Sequence, residues 1–125
     1  MTAARFRSIA LSLPETEERA HMNHPDFRVG GKIFATLGYP SAGWAMVKLT
    51  PTQQQLYTIA HPDAFLPITG AWGRRGATNV RLRDVGARIA RQALTDAWRN
   101  TVGGRAGTQE GRKAEIQGRK AGKRK

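Results

Sequence analysis

Gly30-Gly31, set between two short apolar runs, constrains this chain more than any other feature. Adjacent glycines accept positive φ at little cost, and a two-residue hairpin turn requires positive φ. Downstream, Lys32-Ile33-Phe34-Ala35-Thr36-Leu37 alternates with period two. Ile33, Ala35 and Leu37 are expected on one face and Lys32, Phe34 and Thr36 on the other, as in a strand with two unlike faces. Phe27–Leu37 therefore reads as a tight β-hairpin, with Lys32 just past its tip.

The rest of the chain arranges itself around that hairpin. Thr2–Ser12 has a helical pattern, with Phe6, Ile9, Ala10 and Leu13 on one face and Thr2 as N-cap. Pro14 ends it. Glu15, Glu17 and Glu18 read as a solvated turn. Arg19–Asn23 is expected to be a first strand, closed by His24-Pro25-Asp26. After the hairpin and a loop, Trp44–Leu49 alternates again, placing Trp44, Met46 and Lys48 opposite Ala45, Val47 and Leu49. Three consecutive antiparallel strands make a meander. Thr50-Pro51 starts a helix through Ala60, with Leu56, Ile59 and Ala60 expected to be buried. Phe65, Leu66 and Ile68 read as an irregular apolar connection. Gly70–Gly76 reads as a glycine-rich loop holding Trp72, Arg74 and Arg75. Thr78–Leu82 reads as a last strand, with Val80 and Leu82 inward and Asn79, Arg81 and Arg83 outward. Asp84 is expected to cap a final helix, Val85–Thr101, which Gly103-Gly104 ends.

The order of helix, strands, helix, strand, helix implies an α+β fold. It is a single α/β sandwich, an antiparallel sheet with helices packed on one face. The domain is expected to span residues 1–102. Residues 103–125 bury too little to offset their ordering entropy and read as a disordered Lys/Arg/Gly-rich tail. That tail repeats Gly111-Arg112-Lys113-Ala114 as Gly118-Arg119-Lys120-Ala121, seven residues on.

Charge points to a partner class. The formal net charge is +12 on 125 residues, which favours polyanions. Residues 103–125 hold eight Lys/Arg against Glu110 and Glu115, so half of the excess lies there. No window approaches the ~18 apolar residues of a membrane span, and Arg5 and Arg7 interrupt any secretory leader. There are no cysteines, which removes disulfides and thiolate metal sites and fits a reducing cytoplasm.

Catalytic patterns are missing from the sequence. His21 and His24 fall in a strand and a turn, where their spacing is not expected to bring two rings together. No HxxxH or HExxH motif occurs, and no metal or cofactor is expected. Ser8, Ser12 and Ser41 lie in no nucleophile elbow. Gly30-Gly31-Lys32 lacks the flanking glycine and Ser/Thr of a phosphate-binding loop. Trp72-Gly73-Arg74-Arg75-Gly76 has two readings. In one, Trp72 folds back on the core; in the other, an exposed ring stacks a base while the arginines hold phosphates.

Phe27-Arg28-Val29-Gly30-Gly31-Lys32-Ile33-Phe34-Ala35, Ala45–Leu49 and Trp72–Gly76 leading into Asn79–Leu82 together resemble the MmcQ/YjbR family of small bacterial proteins. Ala97-Trp98-Arg99 is also family-like, and the resemblance spans roughly residues 4–102. It implies a CyaY-like sandwich, also described as a "double wing" DNA-binding fold, and DNA binding without a catalytic motif. Frataxin-like proteins of this fold type handle iron through an acidic ridge. Arg5 and Arg7 on the first helix, with no acid before Glu15, argue against such a ridge here.

The expected function is thus non-enzymatic nucleic-acid binding, with DNA as the expected polymer and little sequence preference. Affinity would come mainly from phosphate neutralisation. The candidate contacts are Arg28 and Lys32 on the hairpin, then Trp72, Arg74, Arg75, Arg81 and Arg83 around the last strand. In the tail they are Arg112, Lys113, Arg119, Lys120, Lys123, Arg124 and Lys125. The alternative is a small-molecule or protein-binding module whose basic tail serves solubility or localisation. Basic side chains gathered on one face would favour the first reading.

Overall fold

Two tight turns fix the first half of the sheet. At Gly30-Gly31, φ is 60° and 80°, and Val29 pairs with Lys32 as the hairpin requires. The second turn is Met22-Asn23, with φ of 53° and 67°, a conformation that asparagine tolerates and methionine rarely adopts. In this computed structural model, which describes residues 1–106, β1 (Thr16–His21), β2 (His24–Val29), β3 (Lys32–Leu37) and β4 (Trp44–Lys48) follow one another as antiparallel neighbours. β6 (Ala77–Arg81) pairs with β4, and β5 (Phe65–Pro67) forms the far edge. The sheet thus has six strands in the order β1-β2-β3-β4-β6-β5.

The sheet is larger than its sequence pattern indicates. Glu17 and Glu18 belong to β1 rather than to a solvated turn, and the strand ends at His21 instead of continuing to Asn23. An exposed edge strand rich in charge carries no hydrophobic alternation to reveal it. Phe65–Pro67 is likewise a strand and not an irregular connection. Within the central hairpin, Phe27 pairs with Ala35 but Arg28 pairs with Ile33, so Phe34 is an extra residue in a β-bulge. The bulge shifts the alternation. Phe34, Ala35 and Leu37 enter the core, while Ile33 and Thr36 face the other side.

One face of the sheet is covered. α1 (Ala3–Leu11), capped by the Thr2 hydroxyl, packs Phe6, Ile9 and Ala10 against it. α4 (Ala87–Ala106) adds Ala90, Ala93, Leu94 and Ala97. β2 to β6 answer with Phe27, Val29, Ala45, Val47 and Val80. The sandwich expected from the element order is therefore present.

α2 (Pro51–Ala60) begins as expected at Thr50, with Gln53 completing a capping box, but it turns a different face inward. Leu56 and Ile59 are 63% and 71% exposed, and Ala60 is exposed too. Gln54 and Tyr57 point in instead. The Gln54 amide donates to the Gly73 and Ala77 carbonyls and to the Thr78 hydroxyl, and the Tyr57 hydroxyl donates to Asp96 at 2.7 Å. Partly buried hydrogen bonds, not apolar spacing, orient this helix.

The last helix also differs from its expected bounds. Leu82–Asp84 is a 3-10 turn, and the Asp84 carboxylate lies 3.7 Å from both Arg81 and Arg83 rather than capping a helix. α4 starts at Ala87 and continues through Gly103-Gly104 to Ala106. Trp98 donates to the Pro14 carbonyl, Asn100 donates to the Lys48 carbonyl, and Val102 packs on the core. These contacts offset the ~1 kcal/mol that each helical glycine costs relative to alanine. The expected tail lies, from residue 107 onward, outside the described residues.

Candidate nucleic-acid interface

Among the described residues no helical layer covers the sheet's other face, and its side chains follow from the register. β2 contributes His24, Asp26 and Arg28, β3 contributes Ile33 and Thr36, β4 contributes Trp44, Met46 and Lys48, and β6 contributes Asn79 and Arg81. Over the middle of this face runs a cleft of about 490 Å³. Ile33, Thr36, Met46, Lys48 and Asn79 line its floor. The β1–β2 hairpin (His21, Met22, His24) and Tyr39 bound it on one side, and Ile68, Thr69 and Trp72 on the other.

Trp72 belongs to α3 (Ala71–Arg74), a single turn where a loop was expected. The glycines of this motif are there for close approach. A Cβ on Gly73 would collide with the Ile68 carbonyl, and one on Gly76, at φ 114°, with the Leu49 carbonyl. So tight a seat points Trp72 away from the core. It is 61% exposed, which excludes the folded-back reading. Arg74 and Arg75 beside it are exposed.

Four cations belong to one end of the sheet, and the register puts Lys48 among them on the open face. Lys32 follows the Gly30-Gly31 turn. Lys48 pairs in register with Ala77, which follows Arg74-Arg75-Gly76 directly. Partial burial, and then the charge of Lys32, hold the Lys48 amine below its ordinary pKa. Among the described residues none of Lys32, Lys48, Arg74 and Arg75 has a carboxylate partner.

Arg28 points to the same face but is already engaged. Its Nε and Nη2 donate to Asp26 at 2.8 and 3.1 Å, and His21 Nδ1 lies 2.8 Å from the same carboxylate. Asp26 is fully buried, and the Arg28 hydrogen bonds hold its pKa below the usual carboxylate value. Arg81 and Arg83 sit at the opposite end of β6. They line a separate hollow of about 550 Å³ with Trp44, and the Arg81 guanidinium stacks 4.9 Å above the Trp44 ring. The expected arginines of the last strand thus divide between its two ends. Arg112, Lys113, Arg119, Lys120, Lys123, Arg124 and Lys125 lie outside the described residues.

Several cleft residues escaped the sequence reading. His21 and His24 are cross-strand partners and line one cleft, contrary to expectation, because the unrecognised Met22-Asn23 turn brings them together. Among the described residues no group of three His, Cys, Asp or Glu is placed to hold a metal. Lys48 and Asn79 gave the only available signal, alternation opposite core positions. Nothing in sequence distinguishes such a position from any solvated strand face. Among the described residues no helix is long and apolar enough to cross a membrane.

Comparison with known proteins agrees with this architecture. No curated protein matches the chain. Among solved structures, the Deinococcus radiodurans protein DR2400, with a DUF419 domain, superposes with a TM-score of 0.65 at 20% sequence identity. The alignment covers 78% of this chain and 75% of that one, a likeness of fold. A family model described as YjbR matches residues 11–100, from the end of α1 to the middle of α4. That range contains the whole sheet and every wall of the cleft, and the chain belongs to the YjbR family.

Proposed function

We propose that this protein is a non-enzymatic nucleic-acid-binding protein of the cytoplasm, that DNA is its polymer, and that it binds mainly through phosphate contacts. One observation supports the reading above others: Lys48 on the open face, Lys32 close enough to depress its pKa, and the exposed Arg74 and Arg75 at the same end of the sheet have no carboxylate partners among the described residues. Lys32 and Lys48 are near enough to repel one another, and a phosphate backbone relieves that repulsion while releasing its own counterions. The arginines can also clasp phosphate through two parallel hydrogen bonds.

The double variant Arg74→Ala/Arg75→Ala tests this. Both side chains are exposed, so its melting temperature should match the parent. Its affinity for DNA should fall for all sequences alike. The slope of log K against log salt should become shallower by about 1–2, since each phosphate contact contributes ~0.9 on B-DNA. Unchanged affinity at low salt would reject the role of this end of the sheet.

The second reading, a small-molecule-binding module, draws its support from the cleft. Its volume of about 490 Å³ falls within the range of small-molecule sites. Such a ligand would bind with little dependence on salt, unlike a polymer.

A further inference from the structure

We propose that the cleft on the open face receives one unpaired base of a single-stranded nucleic acid, with Trp72 as its stacking platform. This rests on the nucleic-acid reading above and names the form of polymer it takes.

The rim of the cleft is the first argument. Trp72, Tyr39 and Met22 are 61%, 61% and 84% exposed, and all three border this one cleft. An apolar rim around a partly polar floor marks a surface built to be covered. Met22 also holds a left-handed backbone conformation, φ 53°, and such strain collects at functional positions. The floor is the second argument. Among the described residues, neither the Thr36 hydroxyl nor the Asn79 carboxamide has a side-chain hydrogen-bond partner, and Thr36 is buried. A carboxamide offers a donor and an acceptor side by side, the pattern a base edge presents in return.

Charge selects the occupant. Lys48 belongs to the lining itself, with Lys32 near enough to depress its pKa. A flat aromatic group attached to an anion satisfies rim, floor and cations together, and a nucleotide is both. The base must be unpaired, because in a duplex its faces are stacked and its pairing edge is occupied.

The test compares Trp72→Ala and Trp72→Phe with the parent protein. The probes are a mixed-sequence single-stranded oligonucleotide, a blunt duplex of equal length and free AMP, at one salt concentration. The parent should bind the single strand more tightly than the duplex. Trp72→Ala should lose about 5- to 100-fold on the single strand and less than about twofold on the duplex, while Trp72→Phe keeps single-strand affinity within about threefold. Equal losses on both polymers, or no loss on the single strand, would overturn the proposal and leave the phosphate reading standing. A parent that binds neither polymer would bring down the phosphate reading as well. AMP binding as tight as that of the oligonucleotide would overturn the proposal in favour of a small-nucleotide site.

Discussion

Asp26 is a wholly enclosed carboxylate on the open face, and its partners decide what it contributes. Arg28 satisfies both of its oxygens, and His21 adds a further contact at 2.8 Å. Hydrogen bonds from Arg28 lower the folded-state pKa, against the opposing effect of burial. A carboxyl group whose pKa is depressed by folding contributes stability that is complete above its unfolded value, 3.8, and is lost as pH falls through the lower folded value. Asp26→Asn should therefore destabilise the protein at neutral pH, by about 1–3 kcal/mol from the hydrogen bonds it weakens. The gap between variant and parent should narrow below pH 3.8. Denaturant titrations at a series of pH values measure both effects. A gap that stays constant down to pH 2 would show that folding does not lower the Asp26 pKa. The same network qualifies the expectation for Arg28: a guanidinium committed to a buried carboxylate has fewer donors left for phosphate.

At the scale of elements, local chemistry was legible and tertiary override was not. Gly30-Gly31 announced a turn because positive φ has a residue signature, and Thr50-Pro51 announced a helix start because capping has one too. Met22-Asn23 makes the same kind of turn as Gly30-Gly31 without glycine, so the sequence pattern puts the first strand at Arg19–Asn23 instead of Thr16–His21. The bulge that sends Phe34 inward depends on pairing across two strands, which a period-two pattern does not record. Leu56 and Ile59 have the spacing of a buried face, yet the Gln54 hydrogen bonds turn them to solvent. In the candidate site, Trp72 and its arginines were visible as a motif. The cleft was not, since its floor comes from three strands brought together only by folding. The central hairpin offers a clean test of the turn argument. No atom lies within 4 Å of where a Gly31 Cβ would stand, so Gly31→Val introduces backbone strain without a clash. That strain should cost about 1–3 kcal/mol. In a domain near this size each kcal/mol lowers the melting temperature by roughly 4–8 °C. Gly31→Asn should cost less, because asparagine tolerates positive φ. Equal melting temperatures for Val and the parent would remove the turn from the account of stability.

For the whole molecule, the question is how charge divides between the sheet and the sequence beyond it. The folded part offers Lys32, Lys48, Arg74 and Arg75 at one end of the sheet. Beyond Ala106 the sequence adds seven Lys/Arg against Glu110 and Glu115. Counterion release requires charge near phosphate but no fixed geometry, so both sets can act on one polymer. The place to separate them follows from α4, which runs to Ala106 with Val102 packed on the core. A chain ended at Val102 loses the last turn of that helix, whereas one ended at Ala106 keeps it. We therefore expect the chain shortened at Ala106 to melt with the full-length protein. Its DNA affinity should fall, and its slope of log K against log salt should become shallower by about 3–5. The remaining slope belongs to the sheet, and adding Arg74→Ala/Arg75→Ala to the shortened chain should reduce it again by about 1–2. If the slope is unchanged on shortening, the C-terminal residues do not engage the polymer and the open face carries the interaction alone. If shortening abolishes binding outright, the cations of the sheet contribute nothing measurable, and the small-molecule reading of the cleft gains by that result.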